Sequence, residues 1–423
     1  MQREIQVHEK PAFVPGLFLS IQHLFAMFGS TVLVPNMFNV DPGIVLLMNG
    51  IGTLLYLILC RGMIPAYLGS SFAFISPVLV VITGNGGSYS EALGAFIVTG
   101  IVFILVALVV KWLGTRWLDV LFPPAAMGAI VAVIGLELVP VAAGPNLANL
   151  LPVDGKFDMT SVILALVTLG VTVVGYVLFR GFFKIIPILI GIIVGYVTAI
   201  LMGVVDIQAI LAEAPLLKMP TITYPTFNMS AIAIILPAAL VVIVEHVGHL
   251  MVTSNIVGKD LAKDPGLYRS LLGNGISTVI SGFVGSTPNT TYGENIGVLA
   301  LTRVYSVYVI GGAAVLAIIM AFFGDVSALI SHIPPQVMGG VSLLLFGVIA
   351  ASGLRILVDS KVDFGNTKNL LMTTLIIVIG ISGISLKLGA VELKGMALST
   401  VLAIVLNLFF MIIDKLNLSN EGK

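Results

Sequence analysis

Charge is what this chain has least of. Only 9% of its 423 residues are Asp, Glu, Lys or Arg, against about 25% in a soluble globular domain. With 58% hydrophobic residues, most of the surface is expected to face lipid. There is one cysteine, Cys60, which excludes an intrachain disulfide and a cysteine-cluster metal site. It ends an apolar run beside Arg61 and reads as a structural, buried thiol. The net charge is zero, so no basic excess points to nucleic acid. No G-x-x-x-x-G-K-[ST] stretch is present, which leaves ATP-driven pumping without support. The first ten residues are polar, and the first apolar run is a full span without a small-residue cleavage site, so that span is expected to direct insertion itself.

What the chain does have is a succession of apolar runs. A helix crossing a bilayer needs about 20 such residues. Runs of this kind begin near residues 17, 43, 64, 91, 122, 159, 185, 231, 271, 286, 304, 336, 369 and 395. The expected fold class is an all-α polytopic membrane protein with about fourteen transmembrane segments. With the N-terminus inside, the alternation leaves only Lys156, Lys218, Lys387 and Lys394 of the twenty basic residues on the outer face. That asymmetry supports the orientation, with both termini cytoplasmic.

A long outer connection over residues 206–230 separates two halves of seven spans. Seven is odd, so the second half starts from the opposite side, and inverted repeats of this kind characterise secondary transporters. The halves echo each other: Gln22-His23 in the first span against Glu245-His246 in the eighth. The third span opens with Gly69-Ser70-Ser71-Phe72-Ala73-Phe74-Ile75-Ser76-Pro77, the tenth with Gly285-Ser286-Thr287-Pro288-Asn289-Thr290-Thr291-Tyr292-Gly293-Glu294. Both are broken by Gly, Pro and small hydroxyl residues. In lipid every peptide group needs a partner, so the extended stretches of segments 3 and 10 are expected to pair with each other. Amides at the ensuing helix starts are then free to face a ligand.

Three glutamates fall inside spans, where an unpaired charge costs several kcal/mol. Glu137, near the outer end of its span, is within reach of the headgroups and reads as structural or interfacial. Glu245 lies mid-span and shares a helix face with His249, four residues on. A buried carboxylate beside an imidazole is suited to proton exchange; the alternative is a polar cluster holding helices together. Glu294 opens the helical part of the tenth span. The Glu-His-x-x-His order is not that of zincins, and only Glu294 offers a further ligand, so no metal and no cofactor are expected. Gln22 and His23 read as structural hydrogen-bonding residues or as residues that orient the carboxylates. No nucleophile–base arrangement suggests an enzyme.

These residues carry a resemblance. Glu294, Asn295, Gly297, Thr302 and Arg303 match, position by position, the signature of the nucleobase–ascorbate transporters (nucleobase:cation symporter-2 family). Gln22-His23, and the stretches 24–35, 65–77, 121–137 and 245–248, resemble the bacterial uracil permease branch, whose members are uracil–proton symporters. The resemblance implies a proton-coupled importer of uracil in the bacterial cytoplasmic membrane, working by alternating access. It implies a core domain (residues 1–112 and 230–325), a gate domain (113–229 and 326–423) and a homodimer. Substrate binding falls to Glu245, Glu294 and the backbone amides of Phe72 and Gly293, with Phe72 or Tyr292 covering a ring face. Proton coupling falls to His249 together with Glu245 and Glu294, and Gln22, His23 and Asn295 stand behind the site. Purine-transporting relatives usually carry Gln at the first signature position, so Glu294 favours uracil over xanthine or urate. Phe346 stands where some relatives have Tyr, which removes any contact through that hydroxyl.

Overall fold

A computed structural model describes residues 4–84, 87–152, 156–388, 391–416 and 418. The first half runs through α1 (Phe13–Ala26), α2 (Phe28–Phe38), α3 (Pro42–Leu59), strand β1 (Leu68–Ser70), α4 (Ile75–Leu79), α5 (Tyr89–Leu113), α6 (Arg116–Leu121), α7 (Pro124–Ala143), α8 (Met159–Leu178), α9 (Pro187–Leu201) and α10 (Ile207–Glu213). The second runs through α11 (Met229–Ile235), α12 (Ala238–Val257), α13 (Leu267–Val284), β2 (Asn289–Thr291), α14 (Gly293–Thr302), α15 (Val307–Met320), α16 (Gly324–Ser331), α17 (Pro335–Asp359), α18 (Thr367–Ile381), the hairpin β3 (Ser385–Leu388) and β4 (Val391–Lys394), and α19 (Gly395–Lys415). Eight helical stretches among the described residues are long and apolar enough to cross a membrane; four shorter apolar ones include α9, α15 and α18.

Local sequence explains where the helices start. Asp41 caps α3, its Oδ1 accepting from the Gly43 amide at 2.9 Å, with Pro42 at the first helical position, where a missing N–H costs nothing. Ser88 and Glu91 form a capping box on α5, and Glu91 also accepts from Asn228 Nδ2 at 2.9 Å. That bond ties the connection between the halves to α5. Asp41 ties the same connection to α3 and α16. Its Oδ2 accepts from the Thr221 amide at 2.8 Å and its Oδ1 from Ser327 Oγ of α16 at 2.7 Å, while Lys218 stands 3.5 Å away.

Glycine crossings bring helix pairs close together. A Cβ on Gly100 of α5 would lie 2.8 Å from the Gly275 carbonyl of α13, and one on Gly128 of α7 would lie 2.8 Å from the Gly353 carbonyl of α17. Without a hydrophobic force between helices in lipid, such small-residue contacts carry the packing. Helices α3, α5, α13 and α15 pack on one another, as do α7, α8, α17 and α18.

The chain does break where Gly, Pro and hydroxyl residues cluster. β1 and β2 pair antiparallel, Leu68 opposite Thr291, Gly69 opposite Thr290 and Ser70 opposite Asn289. The Ser71 amide adds a bond to the Pro288 carbonyl at 2.9 Å. The crossing is pinned on both sides: Thr53 Oγ1 of α3 accepts from the Leu68 amide at 2.9 Å, and Asn289 Nδ2 donates to Ser277 Oγ of α13 at 2.8 Å and to the Met48 carbonyl at 3.1 Å.

Of the two readings of Glu137, structural or interfacial, the hydrogen bonds favour the structural one. Its carboxylate accepts from Ser76 Oγ at 2.9 Å and from the Met396 amide at 2.7 Å. The side chain turns inward because α19 begins beside it with an orphan amide.

Candidate functional site

The β1–β2 crossing converts two spans into short strands followed by helices, and so brings two helix starts to one place. Phe72 opens a turn of 3-10 helix directly after β1, and Gly293 opens α14 directly after β2. First-turn amides of a helix have no partner within it. The Glu294 amide turns to its own carboxylate.

Opposite these helix starts runs α12. Glu245 and Glu294 are close enough for the charge of Glu294 to act on Glu245. Glu245 Oε2 and Glu294 Oε1 are both buried, and neither accepts a hydrogen bond from the protein. A buried acceptor left unmade costs about 1–3 kcal/mol, more when charged. Two such atoms in one place indicate a site built for donors that come from outside the chain.

His249 sits against the helix start: a Cβ on Gly293 would be 3.3 Å from its Nε2. Its Nδ1 lies 3.2 Å from Thr291 Oγ1 of β2. Glycine at 293 thus leaves room for the imidazole. His246, on another face of α12, is fully enclosed and bonds to the protein through both ring nitrogens.

The aromatic residues are more tightly fixed than the sequence suggests. The Tyr292 hydroxyl donates to the Ser70 carbonyl across the strand crossing. Its ring lies 6.0 Å from that of Phe72, tilted 40°, and Phe72 in turn meets Phe346 of α17 edge to face at 5.9 Å. All three side chains are buried, so Phe72 forms a bridge between the strand crossing and α17. The volume where Tyr292 packs exists because residue 69 is glycine; a Cβ there would run into the Tyr292 ring.

Asn295 connects the site to the first helix. Its Nδ2 lies 2.8 Å from His23 Nδ1, and its Oδ1 accepts from the Tyr67 amide at 3.4 Å. His23 therefore meets the signature asparagine and not a carboxylate. Gln22 is buried on the same helix.

Sequence reasoning missed Tyr176. It stands on α8 within electrostatic reach of Glu294, and nothing in the local pattern of α8 marks it. Two cavities lie away from the carboxylate pair. One of about 30 Å³ is lined by Ser76, Glu137, Glu392 and Lys394; the other, about 520 Å³, lies between α10 and α16. The chemistry favours the carboxylates, which combine unmet acceptors with free helix starts, whereas Glu137 is already satisfied.

A model of the Permease family (Xan_ur_permease) matches residues 16–388. The chain is 63% identical to the uracil permease of Paenibacillus larvae over 99% of both chains, and 60% identical to that of Escherichia coli K12 over 98% of this chain and 96% of the other. The uracil permease of Bacillus subtilis is 46% identical over 95% of this chain and 94% of its own. Among solved structures, the transmembrane domain of the cyanobacterial bicarbonate transporter BicA superposes with a TM-score of 0.62 at 15% identity, covering 96% of this chain and 99% of the other. The anion transporter SLC26A9 superposes with a TM-score of 0.69 at 11% identity, covering 95% and 65%. These structural matches speak to the fold, which is that of membrane transporters.

Proposed function

Because the chain belongs to this permease family, and is an integral membrane transporter, we propose that it imports uracil together with protons across the bacterial cytoplasmic membrane. The observation that carries the reading is the pair of buried, unpartnered carboxylate oxygens on Glu245 and Glu294 beside the helix starts at Phe72 and Gly293. Uracil has two ring N–H donors and two carbonyl acceptors. The carboxylates accept from the nitrogens, and the Phe72 and Gly293 amides donate to the carbonyls. The names of the relatives, uracil permeases at 46–63% identity, support the same substrate.

In this reading the protein is a fourteen-segment transporter of two inverted repeats. The eight long helical stretches, the four shorter apolar ones, α13 and the β2–α14 segment make up that number. The mutual packing of α3, α5, α13 and α15, and of α7, α8, α17 and α18, supports a core of residues 1–112 and 230–325 and a gate of 113–229 and 326–423. Phe72 against Phe346 is then a contact of core with gate that changes as the two move, and Tyr176 of the gate stands within electrostatic reach of Glu294 of the core. Both termini lie inside, and the working unit is a homodimer. A proton taken up around Glu245, Glu294 and His249 accompanies the base, since neutralising a carboxylate lowers the cost of occluding it.

The test is labelled-uracil uptake into proteoliposomes, with and without an inward proton gradient, for wild type and Glu294→Gln. A hydrogen bond to a charged group is worth about 1.5–3 kcal/mol, so uracil binding is expected to weaken about 10- to 150-fold in the variant, and accumulation to be lost. Uptake to equilibrium only, indifferent to the gradient, makes the protein a facilitator. Accumulation of xanthine or urate in place of uracil refutes the substrate assignment.

A further inference from the structure

A line of hydrogen-bonding side chains leaves the candidate site and runs away from both carboxylates. It starts at His249 Nδ1, 3.2 Å from Thr291 Oγ1. Thr291 Oγ1 is 3.3 Å from His246 Nδ1. His246 Nε2 is 2.7 Å from Ser270 Oγ, and Ser270 Oγ is 2.5 Å from the Tyr56 hydroxyl. Tyr56 is in hydrogen-bonding contact with Cys60, and Arg269, whose Nη1 donates to the Leu59 carbonyl at 3.2 Å, is within electrostatic reach of that thiol. Thr291, His246, Ser270, Tyr56 and Cys60 are all buried.

We propose that this line is the proton exit path: Thr291, His246, Ser270 and Tyr56 relay the coupled proton from His249 to the inner face. The proposal rests on the proton-coupled reading above. Its direction follows from placement. His246 is in the middle of α12, Ser270 in the first turn of α13 and Tyr56 in the last turn of α3; under the orientation given by the basic residues, the last two are inner ends.

Every member but the ends must both accept and donate, and a hydroxyl or an imidazole can do both. His249 Nδ1–H gives its proton to Thr291 Oγ1, whose own proton passes to His246 Nδ1. The Nε2 proton of His246 passes to Ser270 Oγ, the Ser270 proton to the Tyr56 oxygen, and the Tyr56 proton to the Cys60 sulfur, whose own proton leaves towards the inner face. One proton enters and one leaves, and hydroxyl rotation with a turn of the imidazole resets the line. Asn274 provides for both tautomers of His246. Its Nδ2 lies 3.0 Å from His246 Nδ1 and donates while that nitrogen is bare, and its Oδ1 is buried without a partner. An amide flip presents that oxygen once Nδ1 carries the proton. A purely structural histidine has no use for a neighbour that serves either tautomer. The titratable and charged groups that the line meets beyond its own members are Cys60 and Arg269, both at its Tyr56 end.

Exchange and net transport separate the relay from a structural role. Exchange of internal for external uracil at equal pH carries the proton in and out with the base and needs no release inward. Net uptake needs release in every cycle. The experiment uses proteoliposomes holding a pH-sensitive dye, with wild type, Ser270→Ala, Tyr56→Phe and Ser270→Thr. Exchange is expected to stay within about twofold of wild type in all three variants. Gradient-driven uracil uptake and dye-reported proton entry are expected to slow about tenfold or more in Ser270→Ala and Tyr56→Phe, and to recover in Ser270→Thr, which restores the hydroxyl. Wild-type net rates in Ser270→Ala and Tyr56→Phe overturn the relay, and so does an equal loss of exchange and net uptake in folded variants. A wild type that exchanges uracil but moves no protons refutes the coupling and the relay together. A wild type that does not exchange uracil refutes the substrate instead; the dye, read with the base that is exchanged, then still overturns the relay if Ser270→Ala is not slowed.

Discussion

Gly69→Ala tests the geometry on which the site depends. Gly69 faces Thr290 across the strand crossing. A Cβ at 69 would lie 2.8 Å from Tyr292 Cζ and 2.9 Å from Cδ2. Neither strand can slide to relieve this, because the paired register and the Thr53 and Asn289 side-chain bonds hold both backbones. The ring must therefore move, and in moving it gives up its hydrogen bond to the buried Ser70 carbonyl. Overpacking costs about 1–3 kcal/mol and a buried carbonyl left unmet about 1–3 kcal/mol, so a loss of about 2–6 kcal/mol is expected. Gly293 follows Tyr292 directly, so displacement of the ring also shifts the α14 start, and uracil affinity falls with stability. The assay is thermal unfolding in mild detergent together with uracil binding, for Gly69→Ala, Tyr292→Leu and the double variant. Removing the ring should make the alanine far less harmful, with a coupling of about 1 kcal/mol or more. Strict additivity, or a Gly69→Ala protein with wild-type stability and affinity, refutes the reasoning.

Two further outcomes are expected away from the crossing. Glu137→Ala leaves the Met396 amide and Ser76 Oγ without their acceptor and should destabilise by about 2 kcal/mol or more, with Glu137→Gln less harmful because an acceptor remains; thermal unfolding reads both, and equal, unchanged midpoints would show that the clamp is idle. Burial pushes the Asp41 carboxyl up, but the bonds from Ser327, Thr221 and Gly43 outweigh it and the group ends below its ordinary value of 3.8. A depressed carboxylate contributes stability above its unfolded value and loses it as pH falls through the folded one. The stability gap between wild type and Asp41→Asn should therefore be constant near neutrality and close below pH 3.8; a gap that closes between pH 5 and 7 would contradict this.

Composition and pattern alone determined that the chain lives in lipid, because so little charge cannot clothe a water-facing surface of this size. They also located both breaks, because Gly, Pro and hydroxyl runs in an apolar span require a partner for the bared backbone. They marked Glu245, His249 and Glu294 as the residues whose presence at that depth needs a reason. Tertiary structure decided what those residues face. That Glu137 is a clamp on Met396 depends on α19, where Met396 lies 259 residues further along the chain. That His23 meets Asn295, 272 residues away, follows from the packing of α1 beside α14. Tyr176, and the line through Ser270 and Tyr56, carry no local signal at all. A lone tyrosine or serine in an apolar helix reads the same whether it fills space or passes a proton, and only the neighbour it meets across the fold distinguishes the two.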